Sequence, residues 1–192
     1  MRLTTKQLKQ IIKEELQSLL SESNQKIRQL LDSKDEGLVF QGIELATLLG
    51  EPIFFTNPVQ PDVLRFFEEV DDQETIRLFL AYGMRIPKGQ DMMTVSYLAR
   101  NPNLTEEAMK QIIHISNEGW HSYSVGMQAK IHLAKNPSVT VGILDLLSHA
   151  KYYDLAIQVA KNPKTSVKSL ERIAVNHSAA VNVLEVVLQN PK

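Results

Sequence analysis

The chain has 192 residues, of which 43% are hydrophobic, with 21 basic against 22 acidic side chains and no cysteine. That length suffices for one domain or one continuous stack of smaller units. Near-neutral charge argues against a polyanion binder or an acidic tail, and the absence of cysteine excludes disulfides, thiolate nucleophiles and zinc–thiolate or iron–sulfur sites.

The chain opens on Thr4-Thr5-Lys6-Gln7, a Thr-x-x-Gln capping box, followed by Leu8, Ile11, Ile12, Leu16, Leu19 and Leu20 on one stripe. This predicts an amphipathic helix over about residues 5–20, in an N-terminal segment 1–22 distinct from a helical array over 23–192. Its other face carries Lys6, Lys9, Lys13, Glu14 and Gln17, which reads either as a solvated face or as the polar side of a docking or targeting helix. The stretch KQLKQIIKEEL resembles the N-terminal segment of small proteins of marine tailed phages. Ile12-Lys13-Glu14 resembles the Leu/Ile-x-Glu form cut by some phage prohead proteases, which implies a virion-associated protein with Glu14 as its processing site. No basic start leads into a signal-type apolar run, and no run of about 18 apolar residues occurs, so the expectation is a soluble, cytoplasmic protein (or a virion component) with no membrane partner.

LLDSKDEGLVFQGIELATLLG then reads as a helix end, a charged turn and a second apolar helix stopped by Gly50. It resembles a helix-turn-helix unit found at the start of other bacterial repeat arrays. Pro61-Asp62 opens a helix through Phe66 and Phe67, Asp71-Asp72-Gln73-Glu74 contains an Asp-x-x-Glu capping box, and Gly83 closes the helix that follows. No segment alternates apolar and polar residues with hairpin signals, so no sheet is expected. Charge is uneven: residues 1–34 carry seven basic and four acidic side chains, residues 35–84 two and ten, and residues 85–192 twelve and eight.

From about Val95 to Lys192 the chain repeats itself. Aligned on Asn-Pro, Tyr97-Leu-Ala-Arg-Asn-Pro-Asn-Leu-Thr105 is followed by His132-Leu-Ala-Lys-Asn-Pro-Ser-Val-Thr140 and Gln158-Val-Ala-Lys-Asn-Pro-Lys-Thr-Ser166, with Val187-Leu-Gln-Asn-Pro191 as a truncated copy. Proline lacks an N–H and pushes the residue before it out of the α region, so each incoming helix stops near its Asn. Thr105, Thr140 and Ser166 then sit where the next helix begins, as N-caps worth about 1 kcal/mol each. Met109, Leu144 and Leu170, with Ile112, Leu147 and Ile173 three residues later, mark the buried faces. The asparagines at 57, 101, 136, 162 and 190 are 44, 35, 26 and 28 residues apart, consistent with a unit of about 25 residues and insertions in the earlier copies.

The pattern Leu-Ala-Lys-Asn-Pro-x-x-Thr, with Leu seven residues past the proline, resembles the leucine-rich repeat variant family. That resemblance implies an all-α, right-handed α-solenoid of short helix pairs, comparable to HEAT-type arrays. The copies lack the second proline and the upstream Val-Arg pair common in that family, and a chain without cysteine cannot carry its cysteine-rich cluster domain.

The chemistry-bearing residues point away from catalysis. Histidines at 114, 121, 132, 149 and 177 show neither an i, i+4 pair nor His-Glu-x-x-His, and there is no glycine-rich phosphate loop or Gly-x-Ser-x-Gly. The expectation is a non-enzymatic protein-interaction or scaffold module with no catalytic residue, metal, cofactor or small-molecule substrate. Two surfaces are candidates for partner binding. Arg100, Lys135 and Lys161 repeat one basic position, which a polyanion would read as a ladder; three phosphate contacts give a salt slope of about −2.7, that of a weak nucleic-acid binder. Each cation also suits a helix C-terminus without any ligand. The insertion SNEGWHSYSVG, from Ser116 to Gly126, holds Trp120, His121 and Tyr123, read either as a protein-binding loop or as filler between helix pairs.

Overall fold

The computed structural model describes residue 19 and residues 21–53, 55, 59–83, 92–118 and 123–192. Apart from Leu19, the expected N-terminal helix lies outside the described residues, as do Glu14, Asn57, Trp120 and His121. The described chain is all-helical, with eleven helices and no strand. Helix α1 covers 21–31, followed by α2 (Glu36–Leu49), α3 (Pro61–Glu69), α4 (Gln73–Gly83), α5 (Met92–Leu98) and α6 (Glu106–Glu118). Then come α7 (Tyr123–Lys135), α8 (Val141–Leu147), α9 (Tyr153–Lys161), α10 (Val167–Asn176) and α11 (Val181–Gln189).

Even-numbered helices begin on oxygen side chains. Asp35, Asp72, Thr105, Thr140 and Ser166 each accept the backbone N–H three residues on, at 3.0 to 3.3 Å, which satisfies one of the donors that a helix start leaves free. The three caps expected after the Asn-Pro turns are therefore in place. At the start of α4 the cap is Asp72 rather than Asp71, because the helix starts one residue later than the capping box implied; Glu74 pairs with Arg77 instead of closing the box. Helices α3, α9 and α11 start on Gln60, Tyr152 and Ala180 without a side-chain cap. Gly50 ends α2 at φ 69°, a left-handed conformation that glycine adopts without the Cβ penalty.

The helices pack in two rows. In one, α3 packs on α5, α5 on α7, α7 on α9 and α9 on α11; in the other, α2 packs on α4, α4 on α6 and α6 on α8. Helices adjacent in sequence join the rows, and a single apolar core runs between them from Ile27 to Val183. Met109, Ile112, Leu144, Leu147, Leu170 and Ile173 are all buried in it, as their spacing predicts. Burying one such side chain contributes roughly 1.5–3 kcal/mol.

The repeated asparagine does more than stop a helix. Asn101 Nδ2 donates to the carbonyls of Phe67 and Val70 at 3.0 and 2.7 Å, and Asn136 Nδ2 to those of Ala99 and Asn101 at 2.9 and 2.8 Å. Asn162 Nδ2 reaches the Ala134 carbonyl at 2.8 Å, and Asn190 Nδ2 those of Ala160 and Asn162 at 2.6 and 3.1 Å. Each Oδ1 accepts the N–H two residues on, at 103, 138, 164 and 192, so the side chain shapes its own turn while its amide holds the end of the preceding helix in that row. The alanine before each Arg or Lys follows from this geometry. Ala99, Ala134 and Ala160 are at most 1% exposed, and it is their carbonyls that the next asparagine reaches.

Two details differ from the sequence reading. The turn that Asn101 holds is at Val70, 31 residues earlier, and contains no Asn-Pro, so the asparagine spacing skips a turn of the architecture. The stretch 116–126 is also largely helical: α6 runs through Glu118 and α7 starts at Tyr123, each 13 residues long, so much of the extra length extends two helices.

Candidate functional site

The basic positions sit in equivalent places, at or just past the ends of α5, α7 and α9, and the asparagine bonds stack those ends in order. All three side chains are exposed. Arg100 is engaged: its Nη1 lies 2.6 Å from Glu68 Oε1 on α3, and its guanidinium lies 4.7 Å from the centre of the Tyr97 ring. Its Nε also approaches the His132 ring, at 3.3 Å from Nδ1. His132 is half-buried, with Nδ1 2.9 Å from the Ser96 carbonyl. Burial pushes its pKa below the usual 6.5, and Arg100 and Lys135 push the same way against the Ser96 carbonyl. Lys135 and Lys161 have no ion-pair partner among the described residues. The fourth rung is the neutral Gln189. The row thus offers a polyanion two uncommitted cations, and two phosphate contacts give a salt slope of only about −1.8.

Tyr123 is the first residue of α7, which is all that the described geometry says of the Trp120, His121 and Tyr123 group. Among the described residues no cluster of three His, Asp or Glu side chains is arranged to hold a metal ion.

A surface that sequence reading missed lies at the other end of the rows. Helices α2 and α3 and the start of α4 enclose an open cavity of about 620 Å³. Phe40, Ile43, Leu48, Phe66 and Val70 provide apolar walls, with the Phe40 and Phe66 rings edge to face at 5.6 Å. Glu44, Glu69, Asp71 and Asp72 stand around it, and among the described residues no basic side chain lines it. Arg65 and Arg77, the only basic residues between 35 and 84, pair instead with Asp62 and Glu74. The Thr75 hydroxyl and N–H bond the Asp72 carboxyl and hold it below the usual carboxylate range, so that rim group stays ionised. The Thr47 and Thr75 hydroxyls lie 2.9 Å apart across the base and fix α2 against α4. Leu48 is 79% exposed. Such a groove has the size and apolar lining of a ligand or peptide site, with negative charge available for a cationic partner.

The acidic composition of residues 35–84 was visible in the sequence; its convergence on one apolar groove was not, because the lining comes from three helices brought together by packing. No family model, curated protein or solved structure matches the chain.

Proposed function

We propose that this protein is a non-enzymatic protein-interaction or scaffold module: a right-handed α-solenoid of short helix pairs, of the kind the leucine-rich repeat variant pattern implies. The asparagine bonds support the repeat reading, since one side chain at one position joins successive helices of a row in copy after copy. The α2–α3–α4 groove carries the binding reading. Its partner is a protein segment that presents apolar side chains flanked by lysine or arginine, because only such a segment both fills the floor and compensates the rim.

The test is affinity isolation from the native source with the full chain and with Leu48→Lys, a change at an exposed position that leaves the core untouched. A partner recovered in stoichiometric amount with the wild-type chain, lost with Leu48→Lys at unchanged helix content, is the expected result. Absence of a stoichiometric partner, or one retained by Leu48→Lys, overturns the reading.

A further inference from the structure

We propose that the α2–α3–α4 groove is built around one arginine of its partner, whose guanidinium seats between Glu44 and Glu69 with one face against the Phe40–Phe66 ring pair. This rests on the reading of the groove as a protein-binding surface and names the residue that it selects.

The placement follows from how α2 and α3 run. Gln60, which precedes α3, donates from Nε2 to the Lys34 carbonyl at 2.7 Å, just before α2, and Phe40 meets Phe66 further along both helices. The two helices therefore point the same way. Glu44 lies four residues past Phe40 and Glu69 three past Phe66, so each carboxylate stands about 5 Å beyond its ring on the same helix face. All four residues line the one cavity. Two walls thus repeat one arrangement, a half-buried aromatic ring followed by a carboxylate, and the carboxylates stand at the same end of the ring pair.

Local structure does not account for these two acids. Asp72, on the same rim, accepts the Glu74 and Thr75 N–H groups and the Thr75 hydroxyl, which explains it as a helix cap. Glu44 and Glu69 are exposed and, among the described residues, neither has a basic partner. Glu69 is also the last residue of α3, where the helix dipole disfavours an anion, and neither α2 nor α3 has a basic residue in its last turn. A cation held between them gives both carboxylates a role.

Arginine fits this frame better than lysine. Its planar guanidinium has edges that donate to two carboxylates and faces that stack on aromatic rings, and its weaker hydration makes entry into an apolar cavity easier. The remaining walls, Ile43, Leu48 and Val70, receive the apolar neighbours of that arginine.

The test is an NMR titration of the ¹⁵N-labelled full chain with the capped peptide Ser-Leu-Leu-Arg-Leu-Leu-Ser, and with versions carrying lysine or the neutral isostere citrulline in place of arginine. The arginine peptide should shift the amide signals of Glu44, Thr47, Leu48 and Glu69 and leave those of Leu144 and Leu170 in place. Lysine should weaken binding at least about threefold, and citrulline at least about tenfold. Glu44→Gln and Glu69→Gln should each lower the arginine-over-citrulline ratio at least about threefold, while Phe40→Leu should remove the preference for arginine over lysine. Equal affinity for the arginine and citrulline peptides, a lysine peptide that binds as tightly as arginine, or an arginine affinity that survives both glutamine changes overturns the proposal. If the peptides still shift the groove signals and Leu48→Lys abolishes those shifts, the groove remains a binding surface and only the arginine seat falls. No shift with any peptide also overturns the arginine seat, and the affinity isolation with Leu48→Lys then decides the interaction-module reading separately.

Discussion

Asn136→Ala isolates the interaction that joins successive helices. Asn136 is 3% exposed; its Nδ2 serves the Ala99 and Asn101 carbonyls, and its Oδ1 accepts the Ser138 N–H at 2.8 Å. Each bond contributes about 1 kcal/mol net, and a buried carbonyl left without its donor costs about 1–3 kcal/mol more. Asn101 O keeps a long contact from the Leu104 N–H at 3.4 Å, so the larger penalty falls on Ala99. The sum over the three bonds and the Ala99 carbonyl is a destabilisation of roughly 4–6 kcal/mol, measured as a shift in urea unfolding followed by far-ultraviolet circular dichroism. Asn136→Asp tests the donor directly: it keeps an acceptor for Ser138 but turns a carboxylate oxygen toward two carbonyls, and it should cost at least as much as alanine. Asn190→Ala, at a half-buried turn, should cost about 1 kcal/mol. If Asn136→Ala lies within about 1 kcal/mol of wild type, or if Asn136→Asp is tolerated, the asparagine is only a helix stop.

Further outcomes follow from the same geometry. Gly142→Ala should stabilise by about 0.4–1 kcal/mol in thermal melts, because the position is helical and a Cβ there meets its nearest atom, Glu106 Oε1, at an ordinary 3.5 Å. Gly42→Ala should destabilise by about 1–3 kcal/mol, since its Cβ would come 3.0 Å from the Leu31 backbone nitrogen and force α1 away from α2. Thr140→Ala removes the cap on Ile143 N–H and should lower stability by about 1 kcal/mol; no change in the urea midpoint would rule the cap out as a contributor. His132 should make stability pH-dependent. Its folded pKa is depressed, so the unfolded chain binds the proton more readily; the contribution is complete above about 6.5 and is lost as pH falls toward the folded value. His132→Gln should therefore flatten the fall in urea midpoint between about pH 7 and pH 5, and an unchanged slope would assign that fall to other groups.

The sequence by itself determined the punctuation of this protein. Asn-Pro stops, Thr105, Thr140 and Ser166 caps, the Gly50 terminus and the apolar spacing that buries Met109 and Leu144 all act within about four residues, where proline sterics, hydroxyl reach and helical period operate without knowledge of the rest of the fold. Tertiary structure decided what those local pieces meet. The asparagine amide finds acceptors 28 to 37 residues earlier in the chain, and Arg100 is drawn to Glu68, 32 residues away. The turn at Val70 takes the same place in the row without any Asn-Pro signature, because what defines that place is a pair of outward carbonyls that any residue supplies. The acidic groove was illegible for a related reason. Phe40, Phe66 and Asp72 belong to three elements, and only the packing of α2 and α3 against the start of α4 turns a local excess of carboxylates into one apolar cavity with a negative rim.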